Sequence, residues 1–194
     1  KTQEEERKPI ARTLHDEIGN KLQVLKLNLI SNKEQIESQQ YDALSEKIEQ
    51  PIDSAREISH RMYPVNLEYF GLILTLEEMK QNLIGYEVDL YLHQQYQERP
   101  IDFEVQIYRV ILEFISNTIK HAKANKISIL VRDGHYFLSF LLKDNGLGFE
   151  KVNGSGMGVS NISNRVELLD GKSKLSSSLG KGTRLMMVFP KMAV

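Results

Sequence analysis

Cysteine is absent from the 194 residues of this chain. That excludes a disulfide scaffold, a thiolate zinc site and a cysteine nucleophile, and it fits a reducing compartment. An excess of either charge is absent too: 25 Lys and Arg face 26 Asp and Glu, for a net charge of −1. So even a balance gives no reason to expect nucleic acid or an anionic membrane surface as partner. Long apolar runs are missing, and nothing approaches the ~18 residues that a membrane span requires. No secretory signal is visible. The opening segment, Lys1-Thr-Gln-Glu-Glu-Glu-Arg7, is polar, helix-forming and without an initiator Met. It reads as the continuation of a helix that begins upstream.

Glycine and proline are scarce in the first third. Residues 1 to 63 hold one Gly, Gly19, and two Pro, Pro9 and Pro51. From Glu4 to about Lys33 the apolar residues Ile10, Leu14, Ile18, Leu22, Leu25 and Leu29 are spaced four, four, four, three and four apart. That pattern predicts one continuous helix with one apolar stripe. A second helix is expected from Tyr41 to about Met62, with Leu44, Ile48, Ile52, Ala55, Ile58 and Met62 inward. The link at Ser38-Gln39-Gln40 is short and polar, so the two helices fold back as an antiparallel hairpin. A lone hairpin cannot bury both stripes, whereas two copies paired as a four-helix bundle can. Pro9 and Pro51 each remove a backbone donor and are expected to bend or open their helices. Pro64 stops the second helix. The boundary near residues 63–67 gives a helical domain over 1–65 and a second domain over 66–194.

The second domain alternates. Gly71–Leu83 reads as helix, Glu87–His93 as strand, and Asp102–Ala122 as a helix with Val105, Tyr108, Ile111, Leu112 and Ile115 inward. Lys126–Arg132 and Tyr136–Lys143 are β-rich and are joined by Asp133-Gly134-His135, a hairpin signal. A Gly-rich stretch from Gly146 to Gly158 leads into a helix over Ser160–Leu169. Strands follow at Lys172–Ser178 and Arg184–Phe189. The class is α+β, a mixed sheet with helices on one face.

Four clusters carry chemistry. The first is His15-Asp16-Glu17-Ile18-Gly19-Asn20, at the border of the apolar stripe. Asp16 can hold one imidazole N–H and leave the other ring nitrogen as a nucleophile. Gly19, one turn on, leaves the space over His15 open; Asn20 shares a face with Asp16. Read without the rest, the segment is equally a surface histidine among acids. The second cluster is Glu113, Asn117, Lys120 and His121, a polar stripe at i, i+4, i+7 and i+8. It is either a solvated helix face or a site where hard oxygens meet Mg²⁺ and a lysine meets phosphate. The third is Asp144-Asn-Gly146-Leu-Gly148-Phe149 after a strand. It is either a tight turn or a buried Asp that accepts the exocyclic amine of adenine, with glycines admitting a flat ring. The fourth is Gly154-Ser-Gly156-Met157-Gly158, running into a helix N-terminus that suits phosphates. It matches neither G-x-G-x-x-G nor the P-loop.

In this order, together with the later Gly180-Lys-Gly182-Thr183, the clusters resemble those of two-component sensor histidine kinases. The resemblance runs from about Arg7 to Pro190. It is nearest to the subfamily with an H-D-x-x-G-[QN] box, which includes nitrate sensors and membrane-fluidity thermosensors. It implies a dimerisation and phosphotransfer hairpin followed by a Bergerat-type α/β sandwich that binds ATP. His15 then matches the autophosphorylated histidine, and Asp16 the acid that activates it. Asn117 matches the Mg²⁺ ligand, with Glu113, Lys120 and His121 as its companions. Asp144, Gly146 and Gly148 match the adenine-reading box; Gly156, Met157 and Gly158 match the box that closes a short lid over 150–155; Thr183 matches the late G-T element. Asn20 stands where many members carry Gln for dephosphorylating the partner, and it is one methylene shorter. The implied cofactors are ATP and Mg²⁺. The implied partners are a second copy of the chain and a response regulator, in the cytoplasm, with any membrane attachment through upstream segments. The rival readings are a Bergerat-fold ATPase or serine kinase, and a degenerate scaffold without catalysis.

Overall fold

The computed structural model describes residues 3–93, 96–150 and 157–191. They form two compact units, Lys1–Tyr69 and Phe70–Val194.

The first unit is helical. It contains α1 (Gln3–Thr13), a π-helical segment Leu14–Gly19, α2 (Asn20–Ser31), a 3₁₀ turn Lys33–Gln35 and α3 (Ser38–Met62). The expected single helix is therefore interrupted by wider turns in its middle. The spacing explains why. Each step of four residues drifts by roughly 40° on a 3.6-residue helix, and this sequence takes three such steps in a row. A π segment, with its i→i+5 bonds, absorbs that drift and keeps Ile10, Leu14 and Ile18 near one face. The prolines do not open their helices: α1 runs through Pro9 and α3 through Pro51. Beside Pro51, the buried Ile52 and Ala55 hold the turn in place through packing. Pro64 acts as expected, with Tyr63 extended at φ −158° and ψ 133°.

Within the hairpin, Ala11 is fully buried and its carbonyl accepts a hydrogen bond from Ser59 Oγ at 3.0 Å. The apolar stripes are only partly covered. Ile10, Ile18 and Leu25 on the first arm and Leu44 and Ile58 on α3 are exposed, not inward. Beyond α3, Glu68 gathers Lys8, Arg12 and the Tyr63 hydroxyl. Burial would raise the Glu68 carboxyl. The hydrogen bonds from Lys8, Arg12 and Tyr63 outweigh burial and hold it below the usual range.

Helix α4 (Val65–Asn82) breaks at Gly71, where φ is 71°. That left-handed value is open to glycine at little cost. The turn that restarts at Leu72 has its N–H satisfied by the buried Glu104 carboxylate at 3.0 Å. Glu104 also accepts from Tyr96 Oη at 2.9 Å and from the Arg99 N–H at 3.1 Å.

The second unit follows with β1 (Glu87–His93), α5 (Ile101–Asn117), a π-helical segment Thr118–Ala122, β2 (Lys126–Asp133), β3 (Phe137–Asp144), α6 (Met157–Glu167), β4 (Lys172–Ser177) and β5 (Thr183–Pro190). The sheet order is β1-β2-β3-β5-β4. β1 and β2 are parallel, joined through α5, and the other pairs are antiparallel. Strict alternation decides the faces. Ile127, Ile129 and Val131 of β2, Leu138, Phe140 and Leu142 of β3, and Leu185, Met187 and Phe189 of β5 are buried on one side. Against them lie Val105, Tyr108, Ile111 and Ile115 of α5, as their spacing predicted, and Ile162 and Val166 of α6. Phe103 meets Phe189 edge-on, ring centroids 5.0 Å apart.

At the end of β2, the Asp133 side chain is 1% exposed and pairs with Arg99 at 3.0 Å and with Lys191. Burial alone would raise its carboxyl. The Gln97 N–H, Lys191 and Arg99 together hold it below the usual range. A depressed carboxyl stabilises the fold above its unfolded pKa of about 3.9 and loses that contribution as pH falls through the folded value. The α/β unit is thus expected to lose stability progressively below about pH 4, and Asp133→Asn is expected to flatten that loss. Thermal melts from pH 7 to pH 2 check it; parallel curves for the two proteins would refute it.

Candidate functional site

The His15 imidazole sits in the π-helical segment of the first unit. Its side chain is 29% exposed, and Nδ1 lies 3.0 Å from Asp16 Oδ1. Nε2 has no hydrogen-bond partner among the described residues. One carboxylate thus orients the ring and leaves the other nitrogen without a hydrogen bond among the described residues. A π turn shifts the position stacked over His15 from Gly19 towards the gap between Gly19 and Asn20. A Cβ at Gly19 would meet only the Leu14 carbonyl, at 3.8 Å. No contact among the described residues therefore demands glycine there. Asn20 is exposed at the start of α2.

The second constellation is assembled by three chain segments in the α/β unit: the end of α5 with its π turn, the loop after β3, and the β4–β5 turn. Asp144, the last residue of β3, is buried. Its Oδ1 accepts the Gly146 N–H at 2.8 Å and the Thr183 N–H at 3.2 Å. Among the described residues its Oδ2 has one hydrogen-bonding neighbour, Thr118 Oγ1 at 3.5 Å. The Thr118 hydroxyl is closer to the Phe114 carbonyl, at 3.0 Å, so its single hydrogen is drawn away from the acid. Oδ2 therefore keeps capacity for another donor.

The glycines here are matters of approach. A Cβ at Gly146 would lie 2.4 Å from the Ala122 carbonyl oxygen. At Gly182, φ is 71° and a Cβ would lie 2.1 Å from the Asp144 carbonyl oxygen. Gly180 has the same φ with nothing within 4 Å, so the two make a matched test. Gly182→Ala is expected to cost about 3 kcal/mol, strain plus clash, and Gly180→Ala about 1 kcal/mol, strain alone. Chemical denaturation of both variants checks this, and equal losses would refute it.

Three residues without a signal in the sequence brace the loop. Ser177 Oγ donates to the Gly182 carbonyl at 2.9 Å and accepts the Phe149 N–H at 2.9 Å. Asn145 Oδ1 caps the start of β2, accepting the N–H of Asn125 at 3.1 Å and of Lys126 at 3.0 Å. Asn145-Gly146 is thus no hairpin turn. Thr118 is a buried polar residue one turn past Ile115, the last residue read into the apolar stripe.

Glu113 and Asn117 are half-buried on α5, and Asn117 Nδ2 donates to Glu113 Oε1 at 3.3 Å. This arrangement leaves the Asn117 carbonyl oxygen without a partner among the described residues. Lys120 and His121 are exposed on the π turn. The described residues hold no group of three or more His, Cys, Asp or Glu able to bind a metal. A magnesium site of one or two protein oxygens completed by phosphates and water fits that donor set, and a full protein cage does not. Gly156 and most of the short lid lie outside the described residues, while Met157 and Gly158 open α6, three residues ahead of the predicted helix start.

Comparison with known proteins adds the following. A family model described as "Histidine kinase" matches residues 6–67. A second, "Histidine kinase-, DNA gyrase B-, and HSP90-like ATPase", matches residues 103–193. The chain is 30% identical over 97% of its length to the signal transduction histidine-protein kinase/phosphatase DegS of Bacillus subtilis, covering 54% of that protein. It is 28% identical over 93% of its length to the sensor histidine kinase ComP of the same organism, covering 26% of it. The chain thus spans from a quarter to about half of these relatives. Its fold is similar to the histidine kinase domain of a blue-light activated histidine kinase, EL346, from Erythrobacter litoralis: TM-score 0.53 at 13% identity, covering 88% of this chain and 94% of that one.

Proposed function

Because this chain belongs to the sensor histidine kinases, we propose that it moves the γ-phosphoryl group of ATP to His15 and on to an aspartate of a response regulator. The observation that carries the reading is the ring geometry: Asp16 occupies Nδ1 and leaves Nε2 available. In the transfer, the Nε2 lone pair forms the N–P bond as the bond to the β–γ bridging oxygen breaks, and ADP leaves with those electrons. The Asp16 carboxylate, accepting the Nδ1–H, offsets the positive charge that grows on the ring as Nε2 gains its fourth electron-pair bond. Little else is asked of covalent chemistry; positioning dominates.

The remaining roles are assigned as the family resemblance implies them. Asp144 Oδ2 takes the adenine amine, while Gly146 and Gly148 belong to the same adenine-binding loop and let it pack tightly, against the Ala122 and Ser178 carbonyls respectively. Asn117 would hold Mg²⁺, which neutralises phosphate charge, with Glu113 as its catalytic companion one turn away. Lys120 and His121 face the phosphates, and the Gly156-Met157-Gly158 box closes over them, as the family's second glycine box does. Thr183 sets Asp144 from behind. Asn20, exposed one turn beyond the histidine, is placed to orient water for dephosphorylating the regulator. The helical unit is the dimerisation and phosphotransfer domain and the α/β unit the ATP-binding domain. A homodimer covers the exposed Ile10, Ile18, Leu25, Leu44 and Ile58.

The test is the nature of the phosphoprotein. Incubated with ATP and Mg²⁺, the chain is expected to take up label that is lost in acid and kept in alkali. Acid-stable label would favour a serine kinase. Nucleotide binding without label would favour a scaffold.

A further inference from the structure

The sheet has a second face, and it carries a pattern that nucleotide chemistry does not use. Register places Tyr91, Leu130, Leu141 and Met186 in one row across β1, β2, β3 and β5, ending on Lys174 of β4. Tyr91 is 53% and Met186 39% exposed. The next row on one side holds Arg132, Ser139, Val188 and Lys172, and the row on the other side holds Ser128, Lys143, Arg184 and Ser176. Arg132, Lys143, Arg184, Lys172 and Lys174 are all exposed. None of them has an ion-pair partner among the described residues. The two acids on this face, Glu87 and Asp89, are both taken by Lys126. The near-neutral net charge of the chain thus conceals one strongly cationic, apolar-centred face.

We infer that this face docks an acidic amphipathic helix of a partner protein, its apolar ridge lying along the Tyr91–Met186 row and its carboxylates reaching the flanking cations. Dimensions and charge argue for that occupant. Side chains two residues apart on one strand lie roughly 6.7 Å apart, so the flanking rows are about 13 Å from each other. A helix with its side chains is roughly 10–12 Å across. Five strands span about 19 Å, the length of about 13 helical residues. The long Lys and Arg side chains stand above the apolar row. A flat lipid surface would rest on the cations and leave the row uncovered, whereas a narrow ridge fits between them.

The test uses the whole chain and a designed, fluorescently tagged helix of about 13 residues, with a Leu ridge flanked by Glu. Binding by anisotropy is expected, weakening as salt rises. The same peptide with Lys in place of Glu is expected not to bind. Arg132→Glu combined with Lys172→Glu is expected to lower affinity at least about tenfold, with ATP affinity and melting temperature unchanged as evidence of an intact fold. No binding of the acidic helix, or equal binding by this variant, overturns the inference. So does sedimentation with phosphatidylserine vesicles in place of peptide binding, or a change of oligomeric state in the variant, which would make the face a contact between copies.

Discussion

Replacing His15 with glutamine is expected to abolish phosphate incorporation from ATP, a loss of at least about a thousandfold against the unaltered chain. ATP affinity is expected to stay within about twofold. The imidazole is the group to which the bond forms, so no neighbour replaces it. Glutamine keeps a polar side chain of similar reach on a half-exposed site, and the π-helical segment should fold unchanged. Asp16→Asn is the finer probe. An amide holds the ring less firmly and does not balance the charge that builds on it, so a slowed but measurable rate is expected. Label that persists in His15→Gln would remove His15 from the reaction; loss of ATP binding in that variant would point to misfolding.

The second large effect is expected at Asp144. Asparagine there keeps the shape and an acceptor for the N–H groups of Gly146 and Thr183, which Oδ1 now serves. At the Oδ2 position, however, it can present an NH₂ group to the adenine amine, donor against donor. An unmatched buried donor costs about 1–3 kcal/mol, which is roughly tenfold to a hundredfold in affinity. Asp144→Ala is expected to do worse, because the loop N–H groups lose their acceptor as well. Calorimetric titration with ATP checks both. A chain that bound ATP normally with alanine at this position would remove the adenine role.

Much of this was legible in the sequence, and the reason is local. Alternation named β1 as a strand, β-rich composition named β2 and β3, and Asp133-Gly134-His135 named the hairpin between the latter two. Spacing named Val105, Tyr108, Ile111 and Ile115 of the buried face of α5, but also Leu112, which is only half-buried, and it passed over the buried Ile107, Val110 and Phe114. Both π-helical segments were missed because a template of 3.6 residues per turn assigns every helical stripe to α; the triple spacing of four before Leu22 was the available signal. Exposure of Ile10 and Ile18 was read as burial because periodicity reports a face and not what covers it. The supports of Asp144 were illegible for a different reason. Thr118 reaches it through helix packing, and Ser177 braces the neighbouring Gly182 and Phe149 through strand pairing, both distant in sequence from Asp144, and neither residue type marks itself.

The π turn around His15 also sets how this arm responds to changes of length. Such a turn is an α-helix carrying one surplus residue. Deleting a residue between Leu14 and Gly19 lets the arm relax into ordinary α geometry, with little net rotation between the faces above and below. The same deletion elsewhere in α1 or α2 turns one part against the other by about 100°. The segment that presents the imidazole is therefore the one place in this arm with slack in its winding.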